Sequence, residues 1–256
     1  MTDELLFEVA DGIGRVTFNR PAQRNALTWA MYDGLVAAVQ RADADESIRA
    51  LVLTGAGDRA FAAGTDIGQF RSFSAPADAI GYEGRIDAVL NVLEACRVPT
   101  IAAIAGACTG GGAAIASCCD LRIAAEGARF GFPIAKTLGN CLSMGNLTRL
   151  CALIGAARVK ELIFTARLIE AEEARQLGLV SEVLAPDALQ ARADALARTV
   201  ASHAPLTLRA TKMQLRKLRG EVPEDESLIL MCYQSADFRE GMDAFLAKRP
   251  PQWRGA

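Results

Sequence analysis

Ala105-Gly106-Ala107-Cys108-Thr109-Gly110-Gly111-Gly112-Ala113-Ala114 decides how this 256-residue chain folds. The apolar run from Pro99 to Ile104 before it reads as a buried strand, and the small residues after the glycines read as a helix. Consecutive glycines at such a junction let the backbone pass close to a ligand, with its N–H groups unobstructed by side chains. The first amides of a helix lack intrahelical acceptors and lie at the positive end of the macrodipole. A developing oxyanion suits that spot. A tight turn packed against a neighbouring element fits the same three glycines equally well.

A second glycine-rich junction stands upstream. Ala50 to Thr54 is a fully apolar strand of the buried parallel kind. It runs into Gly55-Ala56-Gly57-Asp58-Arg59-Ala60-Phe61-Ala62-Ala63-Gly64-Thr65-Asp66-Ile67, which reads as one long loop. Both junctions put backbone amides at the carboxyl ends of strands, where α/β sheets bind ligands. Neither matches G-x-G-x-x-G or a Walker A pattern, which argues against nucleotide phosphates.

Around these junctions the elements alternate. Leu6 to Val9 and Arg15 to Asn19 form a hairpin about Asp11-Gly12-Ile13-Gly14. Thr28 is an N-cap for a helix to about Ala42. Ala79 to Cys96 is helical, with Ile86, Val89, Leu90 and Leu93 on its core face. Asp120 to Ala124 is a short strand, Ala128 to Phe132 another, and from Ser143 the pattern is mostly helical, with a strand-like interval at Leu179 to Leu184. Pro186, Pro205 and Pro223 each stand where a helix could start. The class is α/β, with a helical C-terminal third acting as a cap or an oligomerisation arm.

Composition narrows the function. Hydrophobic residues at 51% and charged residues at 23% describe an ordinary globular protein, and a net charge of −2 gives no electrostatic case for nucleic acid or an acidic membrane surface. The apolar region Ile101 to Ala125 is broken by glycines, Asp120 and Arg122, so it does not span a membrane. Seven cysteines without a C-x-x-C pair point to reduced thiols in a cytoplasmic protein, and the acidic start Met1-Thr2-Asp3-Glu4 is no signal peptide. A single histidine, His203, excludes a histidine-based triad or a multi-histidine metal site.

Four stretches, in order, resemble the enoyl-CoA hydratase/isomerase (crotonase) superfamily over nearly the whole chain. They are Asn19-Arg20-Pro21 with Arg24-Asn25-Ala26-Leu27, Ala60 to Ile67, Ala103 to Gly112, and Ala166 to Val180. The resemblance implies a ββα superhelix over residues 1–195 that carries an acyl-CoA site, and a helical trimerisation region over 196–256. It implies homotrimers or hexamers and a CoA thioester as ligand, with no cofactor beyond the CoA of the substrate. Carried over by position, the amides of Thr65 and Gly111 hold the thioester oxygen. Arg24, Ala63, Thr65, Ile67 and Gly110 belong to the CoA path, and Asp66 is a loop brace. Phe245 and Lys248 are placed to reach the CoA of a neighbouring subunit, or are simply an apolar contact and a solvated lysine.

The chain departs from the family pattern at the groups that move protons. Hydratases of this family flank a water with two glutamates, and here those positions are Ala114 and Ile134. Neither side chain can serve as acid or base. Asp87 ranks first as a replacement, since a distant member of the family carries a catalytic histidine there, with Glu83 one helical turn away. A solvated helix face paired with Arg85 or Arg71 is the plainer reading of both. Asn140 and Cys141 join Ile134 on the wall of the acyl pocket, while Ser143 reads first as a helix N-cap. Enolate chemistry on an acyl-CoA is the expected activity, as isomerase, decarboxylase or lyase more than hydratase. A non-catalytic CoA-binding member is the alternative.

Overall fold

The computed structural model describes residues 3–70, 74–219, 230 and 233–252. Pro223, Cys232 and Arg71 lie outside the described residues. The chain opens with β1 (Leu5–Ala10) and β2 (Ile13–Phe18), paired antiparallel. The two residues between them, Asp11 and Gly12, both have positive φ, the geometry of a two-residue hairpin turn. Next come α1 (Trp29–Ala44), β3 (Ala50–Gly55), β4 (Ala60–Ala63), α2 (Pro76–Ala95), β5 (Thr100–Ile104) and β6 (Ala107–Thr109). Then follow α3 (Gly111–Cys118), β7 (Leu121–Ala125), β8 (Arg129–Gly131), α4 (Ile134–Thr137) and α5 (Met144–Thr165). The last are β9 (Ile169–Glu170), α6 (Ala171–Gln176), β10 (Glu182–Leu184), α7 (Leu189–Ala201), α8 (Pro205–Leu218) and α9 (Ala236–Leu246).

The strands form two sheets. One has the order β1-β2-β3-β5-β7-β10, parallel except for the opening hairpin; the other has the order β4-β6-β8-β9. Consecutive strand pairs β3/β4, β5/β6 and β7/β8 give one strand to each sheet, and within each sheet these strands are parallel. The chain therefore climbs as a stack of ββα turns, the superhelix expected from the resemblance. The loop expected over Gly55–Ile67 contains a strand of the second sheet, β4. Its alanine-rich sequence lacks the branched residues that mark strands, and pairing with β6 supplies what propensity does not.

The first sheet is buried on both faces. Leu51, Leu53 and Ala102 face one core with Phe18, Leu35 and Leu90, while Val52, Ile101 and Ile123 face another with Leu189, Ala193 and Ala197 of α7. Burial on both sides explains why these strands read as unbroken apolar runs. The expected division between residues 195 and 196 falls inside α7, whose buried stripe continues to Ala197. Beyond it, α8 buries no side chain, and Leu206 and Leu218 are 75% and 81% exposed.

Helix starts follow local chemistry. Thr28 Oγ1 accepts from the Met31 N–H, Ser143 Oγ from the Asn146 N–H, and Ser235 Oγ from the Phe238 N–H. Pro205 opens α8, whereas α7 begins three residues beyond Pro186.

Candidate active site

The polar segment before Thr28 fixes the first glycine loop. Asn25 is fully buried, with its side chain donating to Ala60 O at 2.7 Å and Ala56 O at 3.1 Å. The Ala63 N–H donates to Arg24 O, the Leu27 N–H to Gly64 O, and the Asp66 N–H to Leu27 O. Asp66 braces the far side, accepting from the Gly68 N–H at 3.1 Å and from Arg20 Nη1 at 3.1 Å.

The second loop closes on the first. Gly110 has φ +52°, and a Cβ there would come within 3.3 Å of Gly64 Cα. A Cβ on Gly111 would collide with the Tyr32 hydroxyl and lie 2.9 Å from Thr65 Oγ1. The triple glycine is therefore both things the sequence allowed, a tight packing turn and an approach of backbone to a site. The Gly110 N–H donates to Gly131 O at 3.0 Å. The amides of Thr65 and Gly111 have no acceptor among the described residues. Gly111 is the first residue of α3, where no intrahelical acceptor exists.

Both loops border a cavity of about 520 Å³. Ile86, Ala114, Phe132, Ile134, Leu138 and Leu142 give it an apolar wall. The two positions that lack glutamate, Ala114 and Ile134, are part of that wall. Arg24, Ala63, Asp66, Ile67, Gly110, Asn140, Cys141 and Phe245 also border it, so most of the expected site residues are brought together.

Asp87 and Lys248 are the exceptions. Lys248 is exposed just past α9 and is not part of the lining. Asp87 is also absent from the lining; its Oδ1 accepts from Ser143 Oγ at 2.8 Å and lies 3.9 Å from Arg149 Nη1. Of the two carboxylates, the one ranked second in the sequence is the one at the cavity. Glu83 borders the cavity and is 5% exposed, while Asp87 is spent on the start of α5. Ser143 and Arg149, distant in sequence, are what hold the Asp87 carboxylate at the start of α5. Phe245 borders the cavity of its own chain.

The chain has three tyrosines, and all gather here. Tyr32 and Tyr82 border the cavity, and their hydroxyls lie 2.8 and 3.2 Å from Thr65 Oγ1. Tyr233 donates its hydroxyl proton to Glu83 Oε1 and accepts from Asn140 Nδ2 at 3.2 Å. Burial first, then neighbouring charge, holds the Tyr82 and Tyr233 hydroxyls well above the usual phenol range, so both remain O–H donors. Sequence reasoning missed all three. Tyr233 is 150 positions from Glu83, and only its scarcity as a residue type could have drawn notice.

No disulfide links the six described cysteines. Burial pushes the thiols of Cys96 and Cys118 up to about 12. His203 lies at the end of α7, its carbonyl accepting from Arg49, and is not part of the lining. Among the described residues no cluster of metal-binding side chains occurs, and no helix is long and apolar enough to cross a membrane.

The fold and site define a class of protein: a ββα superhelix that sets two glycine loops beside an apolar cavity. The family model described as Enoyl-CoA hydratase/isomerase matches residues 8–256, and the chain belongs to that family. It is similar to a 2,3-dehydroadipyl-CoA hydratase from Escherichia coli, 35% identical over 98% of this chain and 99% of the other. A crystal structure of an enoyl-CoA hydratase/carnithine racemase from Magnetospirillum magneticum matches with TM-score 0.81 and 35% identity, covering 100% of this chain and 97% of that one. A methylmalonyl-CoA decarboxylase in complex with 2-nitronate-propionyl-CoA matches with TM-score 0.90 and 26% identity, covering 99% of each chain.

Proposed function

We propose that this chain is an enzyme that acts on an acyl-CoA thioester by forming an enolate, with Glu83 as the group that moves the proton. The supporting observation is a pair of unengaged amides, Thr65 and Gly111, beside a cavity with only two lining carboxylates among the described residues. Of those two, Asp66 is tied to Arg20 and the Gly68 amide, which leaves Glu83. The thioester oxygen accepts both amide hydrogens as negative charge grows on it, an arrangement whose single donors are each worth roughly 10²–10³ in rate. Glu83 takes a proton from carbon, the electron pair passes into the enolate, and the same carboxyl returns the proton.

One carboxylate can shuttle a proton between carbons; it cannot both activate a water and protonate carbon from the opposite side. With Ala114 and Ile134 on the wall, isomerisation, decarboxylation or carbon–carbon cleavage is favoured over hydration. Arg24, Ala63, Ile67 and Gly110 line the CoA path, with Phe245 at the acyl end of the same chain and Lys248 in reach of phosphates. The CoA is the substrate's own, and no separate cofactor is invoked. The exposed Leu206 and Leu218 of α8 support the assignment of residues 196–256 to subunit contacts in a trimer or hexamer, in the cytoplasm.

The test is α-proton exchange. Butyryl-CoA incubated with the protein in D2O, followed by NMR, is expected to gain deuterium at the α-carbon. Glu83→Gln is expected to slow that exchange by about 10²-fold or more. Calorimetric binding of butyryl-CoA with no exchange in the wild type would instead establish a non-catalytic CoA-binding member.

A further inference from the structure

Glu83 does not sit alone in its wall. Tyr233 donates to it from the segment before α9, and Asn140, from the turn after α4, donates to the Tyr233 oxygen at 3.2 Å. The three form a string: amide to phenol to carboxylate. Asn140 Oδ1 is buried and has no hydrogen-bond partner among the described residues, and Nδ2 otherwise only approaches Cys141 O at 3.5 Å. No second strong bond therefore pins the amide in one orientation.

We infer that Tyr233 and Asn140 are positioning residues that carry Glu83 through both of its protonation states without loss of its hydrogen bond. This rests on the reading of Glu83 as the proton-moving group. With Glu83 ionised, the string runs from Asn140 Nδ2 to Tyr233 to Glu83. When Glu83 gains a proton from substrate carbon, its new O–H donates to the Tyr233 oxygen. Tyr233 then donates to Asn140 Oδ1, presented by a half-turn of the amide. No covalent bond in the string changes beyond the one O–H formed on Glu83. A carboxylate deprived of such a donor in a buried wall holds its proton to higher pH.

Other groups act on the same carboxyl. Tyr32 from α1 and Tyr82 from α2 feel its charge, Asp87 lies one turn along α2, and Cys141 borders the same cavity. Asp87 is itself faced by Arg149 of α5. Tyr82 also packs its ring on Tyr233 at 6.2 Å between centroids, a contact that Tyr233→Phe keeps.

The readout is the titration of Glu83 in the ligand-free protein, followed by NMR of side-chain 13C-carboxyl-labelled glutamate and assigned with Glu83→Gln. Tyr233→Phe keeps the ring and removes the donor, and is expected to raise the Glu83 midpoint by about one pH unit. Asn140→Ala is expected to raise it by less, and to have no effect when Tyr233 is already Phe, because it acts only through that hydroxyl. An unchanged Glu83 midpoint in Tyr233→Phe would overturn the inference, as would an Asn140→Ala effect that persists in the double variant. Exchange that survives Glu83→Gln would instead overturn the assignment of Glu83 as proton carrier, with the titration coupling still measurable.

Discussion

Ser143 Oγ donates a 2.8 Å hydrogen bond to Asp87 Oδ1, so the residue that caps α5 also fastens it to the middle of α2. Arg149, one and a half turns into α5 and 4% exposed, completes the clasp by reaching Asn91 at 2.5 Å and Glu94 at 3.2 Å. Ser143→Ala removes the cap and the clasp together, and is expected to cost about 1–2 kcal/mol in urea unfolding. Asp87→Asn is expected to destabilise similarly while lowering exchange activity less than tenfold. A loss of activity from Asp87→Asn as deep as that from Glu83→Gln would return Asp87 to the chemistry.

At the glycine loops the sensitive position has no side chain. Gly111→Ala drives a methyl into the Tyr32 hydroxyl and toward Thr65 Oγ1, so the two loops must part. Exchange is expected to fall by about 10²-fold, the scale of one oxyanion donor. Circular dichroism is expected to change little, since the clash falls on the first residue of α3 and leaves the sheet register outside the contact.

Alkaline stability follows from the buried thiols. Cys96 and Cys118, with ordinary values near 9, are pushed up to about 12 by burial. Between those values the unfolded chain has released thiol protons that the native chain still holds. Their effect is absent below about pH 9 and weakens the fold progressively as pH rises toward 12. Urea midpoints measured at pH 8 and pH 10.5 are expected to fall in that order. Cys96 and Cys118 are likewise expected to resist alkylation at pH 8, where a thiolate is required.

Much of the architecture was legible because it rests on local chemistry. Thr28 and Ser143 read as caps and act as caps; the apolar runs at Ala50 and Thr100 read as buried parallel strands and are. The glycine loops were legible for a related reason, since a close approach of backbone leaves glycine as its trace. The second sheet was harder. Ala60–Ala63 and Ala107–Thr109 are short and together more than half alanine, with Phe61 and Thr109 their only strand-favouring residues, and they are held by each other. The proposed acid/base group was the least legible. Glu83 and Asp87 share a helix face, and what separates them is the company supplied by Tyr233 on one side and Ser143 on the other, both far along the chain.

Gly241 has a consequence for what the site can admit. A Cβ at that position would lie 2.5 Å from Leu138 O, so α9 rests directly on the backbone of the cavity wall. Phe245 and Leu246, one turn further along α9, are half exposed where they border the cavity. The width of the cavity at this edge is therefore set one turn away from the residues that line it. A larger side chain at 241 would lift the helix like a wedge under a door, drawing Phe245 and Leu246 away from the cavity without substituting either.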